Sequence, residues 1–366
     1  MLYCEYGKEK YLQYIDELKV ISEERIDIVL YAPGIATEIS TIVDALPGSI
    51  QKSYWENVNL WGVTSDNVLY VVERFRRVNR YKDIIEFINQ VNLKSIINGS
   101  LWLEILFDAL DKGQLEVLFH EPYDVAEILK TINVPDDMTS KGKLLLIELM
   151  MFDHLRHYMT DSEFHLLQLV NQEPEMMMEL VRLAYIADEG YEDYEDLSET
   201  ERGNRITMAR LAWNFFYHYH GVPGTLPDKS IDGAFLRDYL SELQKCAEQC
   251  HRVHIMPLVI GRILGNMPEV DGYPTDLMCE LVEYFDNDHI DSEIGCCISN
   301  RRGMSTRSPY AGGDIERSHI KVLKKYRDRA QTRSPRLAKV FENEIKSFEH
   351  RALVEDERGR LTDLNY

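Results

Sequence analysis

The chain has 366 residues, 45% of them hydrophobic, and carries 41 Lys and Arg against 62 Asp and Glu, a formal net charge of −21. This length suffices for one extended domain or two compact ones. The acidic balance argues against nucleic acid or an anionic membrane as the partner of the whole surface.

The sequence also predicts the compartment. No apolar run reaches the ~18–20 residues of a membrane helix, and the first residues lack the order of a signal peptide. Six unevenly placed cysteines do not form a disulfide pattern. We therefore expect a cytoplasmic protein that contacts no membrane.

Helical periodicity dominates the chain. It begins with helices from Tyr11 to Ser22 and from Ile35 to Leu46, while residues 25–32 fit either a strand or a helix. Further helices are predicted over Val68–Val78, Tyr81–Val91, Leu101–Leu110, Val125–Ile132, Leu144–Met159, Glu163–Val170, Glu175–Ala187, Gly233–Cys250, Ile255–Gly265 and Asp276–Phe285. Short connections and the absence of alternating strands predict an all-α fold of stacked helical hairpins, a degenerate HEAT-like α-solenoid.

An acidic stretch divides the chain. Residues 188–201 hold eight acids in fourteen positions and predict an exposed loop, without the glycine and ligand spacing of a calcium loop. The predicted organisation is an N-terminal helical array over 1–190, an acidic loop over 191–202, a C-terminal helical array over 203–354 and a polar tail over 355–366.

The end of the C-terminal array reverses the charge. Residues 301–351 carry 14 Lys and Arg against 6 Asp and Glu. Its two helices are predicted to begin at Asp314, after Gly312-Gly313, and after Ser334, with Pro335 in the first turn. The basic segment predicts a surface for nucleic acid, a nucleotide or the protein's own acidic half, or simply a solvated helical face.

Several residues of this segment are candidate ligand-binding groups. Paired arginines and a glycine pair that opens a helix provide forked donors and free backbone N–H groups, which suit phosphate. Against this, Asp314 would repel an anion, and Arg301 or Arg317 would instead pin the loop by pairing with Glu316, Glu280 or Glu283. The candidate binding residues, three lysines included, are Asn300, Arg301, Arg302, Arg307, Gly312, Gly313, Glu316, Arg317, Lys321, Lys324 and Lys325.

A weaker pattern suggests a metal. Cys246, Cys250 and His254 have the i, i+4, i+8 spacing of one helical face, which would suit zinc, but no fourth ligand is evident. The same stripe continues the apolar residues of its helix, so buried structural cysteines are the favoured interpretation. We predict no metal and no cofactor.

Other polar and aromatic residues are assigned to structure. His218 and His220, two positions apart, are expected to point to different sides of a helix. The four tryptophans, Trp55, Trp61, Trp102 and Trp213, are expected to serve packing.

The chemistry of an enzyme is not evident in the sequence. No phosphate-binding loop, nucleophile elbow or paired metal motif is present. We therefore expect a protein that is not an enzyme; the alternative is an unrecognised catalytic site near Glu316 and Arg317.

Four segments in this order resemble a known group of proteins: SYWENVNLW (53–61), WNFFYHYHGVPG (213–224), VIGRILGNMPEVDGYP (259–274) and SNRRGMSTRSPYAGGDIER (299–317). They are similar to the C-terminal helical region of very large, uncharacterised bacterial multidomain proteins. Those proteins are loosely associated with NTPase and effector proteins of anti-phage defence. The resemblance implies a tail of such a protein or a stand-alone relative.

Together these patterns predict a non-catalytic interaction, sensor or scaffold module. Its expected partner is a protein or another domain of a larger assembly. The alternative is a nucleic-acid-binding module that uses the basic segment 301–351, whose binding would weaken steeply with salt.

Overall fold

The computed structural model describes residues 9–10, 13–14, 17, 43–59, 63–90, 96–191, 197–270, 272–301, 303, 306, 308 and 312–364. These residues contain sixteen α helices, one 3-10 helix and no strand. Thr225 and Ile231 form an isolated antiparallel bridge. The predicted all-α class is confirmed, whereas the solenoid arrangement stays a prediction. The segment 25–32 and most of the first two predicted helices lie outside the described residues.

The chain divides into two compact units, Met1–Leu166 and Leu167–Tyr366. This division lies within a helix and more than twenty residues before the predicted boundary near residue 190. The first unit contains α1 (Gly48–Asn57), α2 (Val68–Arg77), α3 (Tyr81–Gln90), α4 (Gly99–Asp111), α5 (Leu115–His120), α6 (Pro122–Leu129), α7 (Met138–Leu155) and the start of α8 (His165–Gln172).

The second unit carries the remaining helices. They are α9 (Pro174–Ala184), α10 (Glu199–His218), α11 (Gly233–Gln249), a 3-10 helix (Val253–Ile255), α12 (Met256–Gly265), α13 (Asp276–Phe285), α14 (Asp288–Asn300), α15 (Asp314–Ala330) and α16 (Pro335–Leu364).

Side chains cap the N-termini of two helices in the first unit. Asn98 accepts a hydrogen bond from Leu101 N at 2.8 Å before α4, and Asp137 accepts one from Ser140 N at 2.8 Å before α7. Each satisfies a backbone donor that the first turn leaves unpaired. Trp102 and Trp55 are buried in this unit, as expected for packing residues.

A buried carboxylate lies at the end of the first unit. Glu148 of α7 is fully buried and accepts hydrogen bonds from His165 Nδ1 at 2.7 Å, His165 N at 3.2 Å and Leu166 N at 2.7 Å. The hydrogen bond to Glu148 raises the pKa of His165. Glu148 thus supplies the acceptor that the N-terminus of α8 needs.

The acidic loop ends earlier than predicted. Ser198 and Glu201 form a capping box: Ser198 Oγ accepts from Glu201 N at 3.3 Å, and Glu201 accepts from Ser198 N at 2.9 Å. Residues 199–202, expected in the loop, are therefore the first turn of α10. Residues 192–196 lie outside the described residues.

The hairpin of α15 and α16 closes the second unit. Gly313 at the start of α15 bonds to Asp356, and Arg327 near its end bonds to Glu342 at 2.8 Å, so the helices are antiparallel. Helix α16 continues to Leu364 through most of the segment predicted as a polar tail. The i, i+3 pair of Arg358 with Glu355, at 2.6 Å, supports this extension.

No described helix combines the length and the apolar character that crossing a bilayer requires.

Candidate ligand-binding cleft

Arg301, the first predicted phosphate ligand, is bound by its own fold. Its Nη1 donates to Glu269 Oε1 at 2.9 Å and to Tyr273 Oη at 3.2 Å, and its Nη2 donates to Met267 O at 2.7 Å and to Gly265 O. These are the contacts of a residue that pins a loop. The acid is Glu269, not the predicted Glu316, Glu280 or Glu283, because α12 and α14 bring the segment after Gly265 against the end of α14.

The glycine pair before α15 does not offer free donors. Gly313 N donates to Asp356 Oδ1 at 2.9 Å, and Asp356 also pairs with Arg317. A Cβ at Gly313 would lie 2.5 Å from Ala352 O, and Gly312 has a φ of +55°. The pair therefore permits close packing of α15 on α16, and a carboxylate of the same chain occupies the position predicted for phosphate.

Glu316 and Arg317, the residues of the predicted alternative catalytic site, lie in different surroundings. Glu316 is 1% exposed, whereas Arg317 is about half exposed and also pairs with Asp314 at 3.2 Å. An acid in the core and a solvated guanidinium do not converge on one substrate.

The three candidate lysines lie on the exposed face of α15. Lys324 pairs with Glu349 of α16 at 3.6 Å, while Lys321 and Lys325 are solvated. Acids of α16 thus offset part of the basic charge of α15. Arg302 and Arg307 lie outside the described residues.

The weak zinc candidate is not assembled. Helix α11 ends at Gln249, so the i, i+4, i+8 spacing does not continue to His254, whose Nδ1 pairs with Asp188. Cys250 instead donates to Ala247 O at 3.7 Å. Among the described residues, Cys246 lies with Glu175 and Glu242, with ligand atoms within 4.8 Å of one another.

The second unit contains a cleft of about 640 Å³. Its walls come from the end of α10, from α12, from α14 and from α16. The lining residues are Tyr217, His218, His220, Arg262, Asn266, Glu293, Cys296, Cys297, Ser299, Asn300, Arg301, Gly303 and Arg351. Two of the predicted residues, Asn300 and Arg301, are among them. Three arginines line the cleft, and two of them, Arg262 and Arg301, already bond to acids and carbonyls of the fold.

Two glycines set the width of the cleft. A Cβ at Gly261 would lie 2.7 Å from Glu293 Cβ, and one at Gly265 would lie 2.6 Å from Cys297 Cβ. Their absence lets α12 approach α14 closely. Arg262, between the glycines, donates from Nε and Nη2 to Glu293 Oε1 at 3.0 and 2.8 Å and from Nη1 to Phe216 O at 2.5 Å.

Two lining groups remain available to a ligand. The buried Nδ2 of Asn266 has no hydrogen-bond partner among the described residues. Arg351 is exposed and forms no ion pair within the described part of the chain; its guanidinium lies 5.1 Å from the ring centroid of Phe348. Burial raises the pKa of the nearby Glu344, an effect that the charge of Arg351 opposes. A buried donor without an acceptor and an unpaired cation both favour an anionic ligand.

Two adjacent cysteines line the cleft. Burial raises the pKa of Cys297 to about 11, and burial also raises the pKa of the more exposed Cys296. Because the thiolate is the reactive form, neither side chain has the environment of an activated nucleophile.

The sequence interpretation missed most of this lining. His218 and His220 both face the cleft because α10 ends at His218, so helical spacing does not apply to His220. Trp213, expected to be packed, is 53% exposed, and that expectation was wrong. The available signal was the spacing Gly261-x-x-x-Gly265, which is typical of closely packed helices.

Comparison with protein-family models, curated proteins and solved structures gave no match to this chain.

Proposed function

We propose that this chain is a non-catalytic helical binding module and that the cleft of its second unit binds an anionic, phosphate-bearing ligand. The observation that carries the proposal is the pair of donors left in that cleft: Asn266 Nδ2 is unsatisfied, and Arg351 forms no ion pair among the described residues. The proposal also includes a sensor or scaffold role in a larger cytoplasmic assembly. A link to bacterial defence rests on the sequence resemblance alone.

The alternative nucleic-acid surface, the exposed lysines of α15, has weaker support. Lys324 is paired with Glu349, and Arg327 nearby is paired with Glu342 and Asp328. Each ion pair lowers the positive potential that phosphate would encounter on that face. In the cleft, by contrast, Arg351 forms no ion pair within the described part of the chain, although its charge acts on the carboxylate of Glu344.

The test is a fluorescence-anisotropy titration of a labelled single-stranded oligonucleotide at roughly 50 and 200 mM salt. We expect binding that weakens as salt rises, since phosphate contacts release counterions. Arg351→Glu is expected to weaken binding by about 10- to 100-fold, the range for loss of a charged hydrogen bond.

Two controls locate the site. Lys346→Glu makes the same charge change on an exposed residue of α16 outside the cleft and is expected to retain affinity. The triple substitution Lys321→Glu, Lys324→Glu and Lys325→Glu is expected to act only through long-range charge. It should therefore reduce the affinity less than Arg351→Glu does. Loss of binding in the triple variant with normal binding by Arg351→Glu would assign the ligand to α15 and refute the cleft.

A further inference from the structure

One face of α10 leads into the cleft. Arg210, Trp213 and Tyr217 have the i, i+3, i+7 spacing that aligns side chains along a helix, and all three are exposed. The opposite face, with Ala212, Phe215 and Phe216, is buried. The aromatic residues of this helix therefore divide into a buried set that packs in the core and an exposed set that faces solvent.

The two exposed rings form a platform. Trp213 and Tyr217 are stacked with ring centroids 6.0 Å apart and an interplanar angle of 22°. They are 53% and 63% exposed, and Tyr217 is part of the cleft lining. Large exposed aromatic side chains beside a basic site are the arrangement on which nucleic-acid bases stack, because every base has a π face.

The length of this face suits more than one nucleotide. Seven residues of α helix span about 10 Å. Measured along the axis of a duplex, each nucleotide of one strand advances about 3.4 Å. Arg210 lies at one end of this face and Arg351 lines the cleft at the other. The phosphates on both sides of a stacked base would therefore each have an arginine to bind.

We infer that the ligand is a single-stranded nucleic acid, with bases stacked on Trp213 and Tyr217 and phosphates held by Arg351 and Arg210. This inference rests on the proposed function and names its ligand class. A single strand is favoured over a duplex because a paired base is already stacked on both faces and cannot lie against a side chain.

The test compares four competitors of a labelled oligothymidylate: the unlabelled oligomer, an abasic oligomer of equal length, thymidine monophosphate and polyglutamate. The abasic oligomer keeps the phosphates and loses the bases. We expect it to bind at least about 10-fold more weakly than the oligomer, since stacking contributes strongly for each base. The mononucleotide is expected to compete still more weakly because it contacts one part of the face.

Variants assign the stacking to the platform. Tyr217→Ala and Trp213→Ala are each expected to weaken oligomer binding by about 5- to 100-fold, whereas Tyr217→Phe retains the ring and the affinity. Tyr284→Ala is the matched control, because Tyr284 is 75% exposed on α13 and outside the cleft. Both platform residues are exposed, so unchanged circular dichroism and thermal unfolding are expected for every variant.

The outcomes separate this inference from the function on which it rests. Equal affinity for the abasic oligomer, with normal binding by Tyr217→Ala and weak binding by Arg351→Glu, would refute stacking and leave anion binding intact. Equal competition by the mononucleotide would refute a strand, and equal competition by polyglutamate would point to an acidic protein. No binding of any oligomer at low salt would overturn both proposals.

Discussion

The backbone N–H of Gly313 donates to Asp356 Oδ1 at 2.9 Å, across the hairpin of α15 and α16. This bond places a carboxylate of the chain where the sequence pattern predicts a phosphate. It also lowers the pKa of Asp356, and the pair with Arg317 lowers it further. The N-terminus of α15 thus binds a side chain of α16.

Asp356→Ala is expected to lower the thermal unfolding midpoint by removing the acceptor for Gly313 and the partner of Arg317. Because the folded-state pKa of Asp356 is depressed, its stabilisation is present above the unfolded pKa and is lost as pH falls through the folded value. Thermal scans at neutral and acidic pH test this. Asp328→Ala removes an exposed acid of α15 and should cost less at neutral pH; equal costs would contradict the anchoring role.

Gly261→Ala is expected to destabilise the protein by about 1–3 kcal/mol, because the added Cβ would lie 2.9 Å from Ile290 O and force α12 from α14. Gly203→Ala is the control: it adds the same methyl group to α10 with no atom within 4 Å. It should stabilise by about 0.5–1 kcal/mol through helix propensity. Chemical denaturation measures both, and similar effects at the two positions would contradict the close approach.

The His165–Glu148 pair should make the first unit sensitive to pH. Glu148 raises the pKa of His165, so the pair's contribution is fully present below the unfolded pKa and is lost as pH rises through the folded value. The wild type should therefore have a larger free energy of unfolding than His165→Gln, and this difference should be larger at pH 5.5 than at pH 9. The buried Trp102 reports on this unit by fluorescence; a difference that does not change with pH would refute the linkage.

Cys296 should be protected by bound ligand. It is exposed and lines the cleft, whereas Cys246, Cys279 and Cys297 are buried. Maleimide labelling followed by peptide mapping is expected to modify Cys296 before these three, and saturating oligothymidylate should slow the reaction several-fold. Because burial raises its thiol pKa, labelling should also accelerate as pH rises. An unchanged rate with ligand bound would argue against occupancy of the cleft.

Local signals in the sequence predicted the helices well. The bounds of α13, Asp276–Phe285, agree with the prediction, and α15 and α16 begin at Asp314 and Pro335 as expected. Glycine pairs, prolines and periodicity act over a few residues, so they can be interpreted without tertiary structure.

The cleft could not be predicted in the same way. Glu269 and Arg301 are 32 residues apart, and Arg262 and Glu293 are 31 apart; their pairing depends on how helices pack. The exposed face of α10 was accessible in principle, since the spacing of Phe215 and Phe216 against Trp213 and Tyr217 separates two faces. The sequence alone does not show which of the two faces packs against the core.

The most direct test of the account is photocrosslinking of a single-stranded oligomer that contains 5-bromodeoxyuridine, followed by mass-spectrometric mapping. We expect crosslinks at Trp213 or Tyr217 in the wild type and none at these positions in the double variant Trp213→Ala, Tyr217→Ala. Crosslinks confined to α15, or to Tyr284 on α13, would show that the cleft of the second unit is not the binding site.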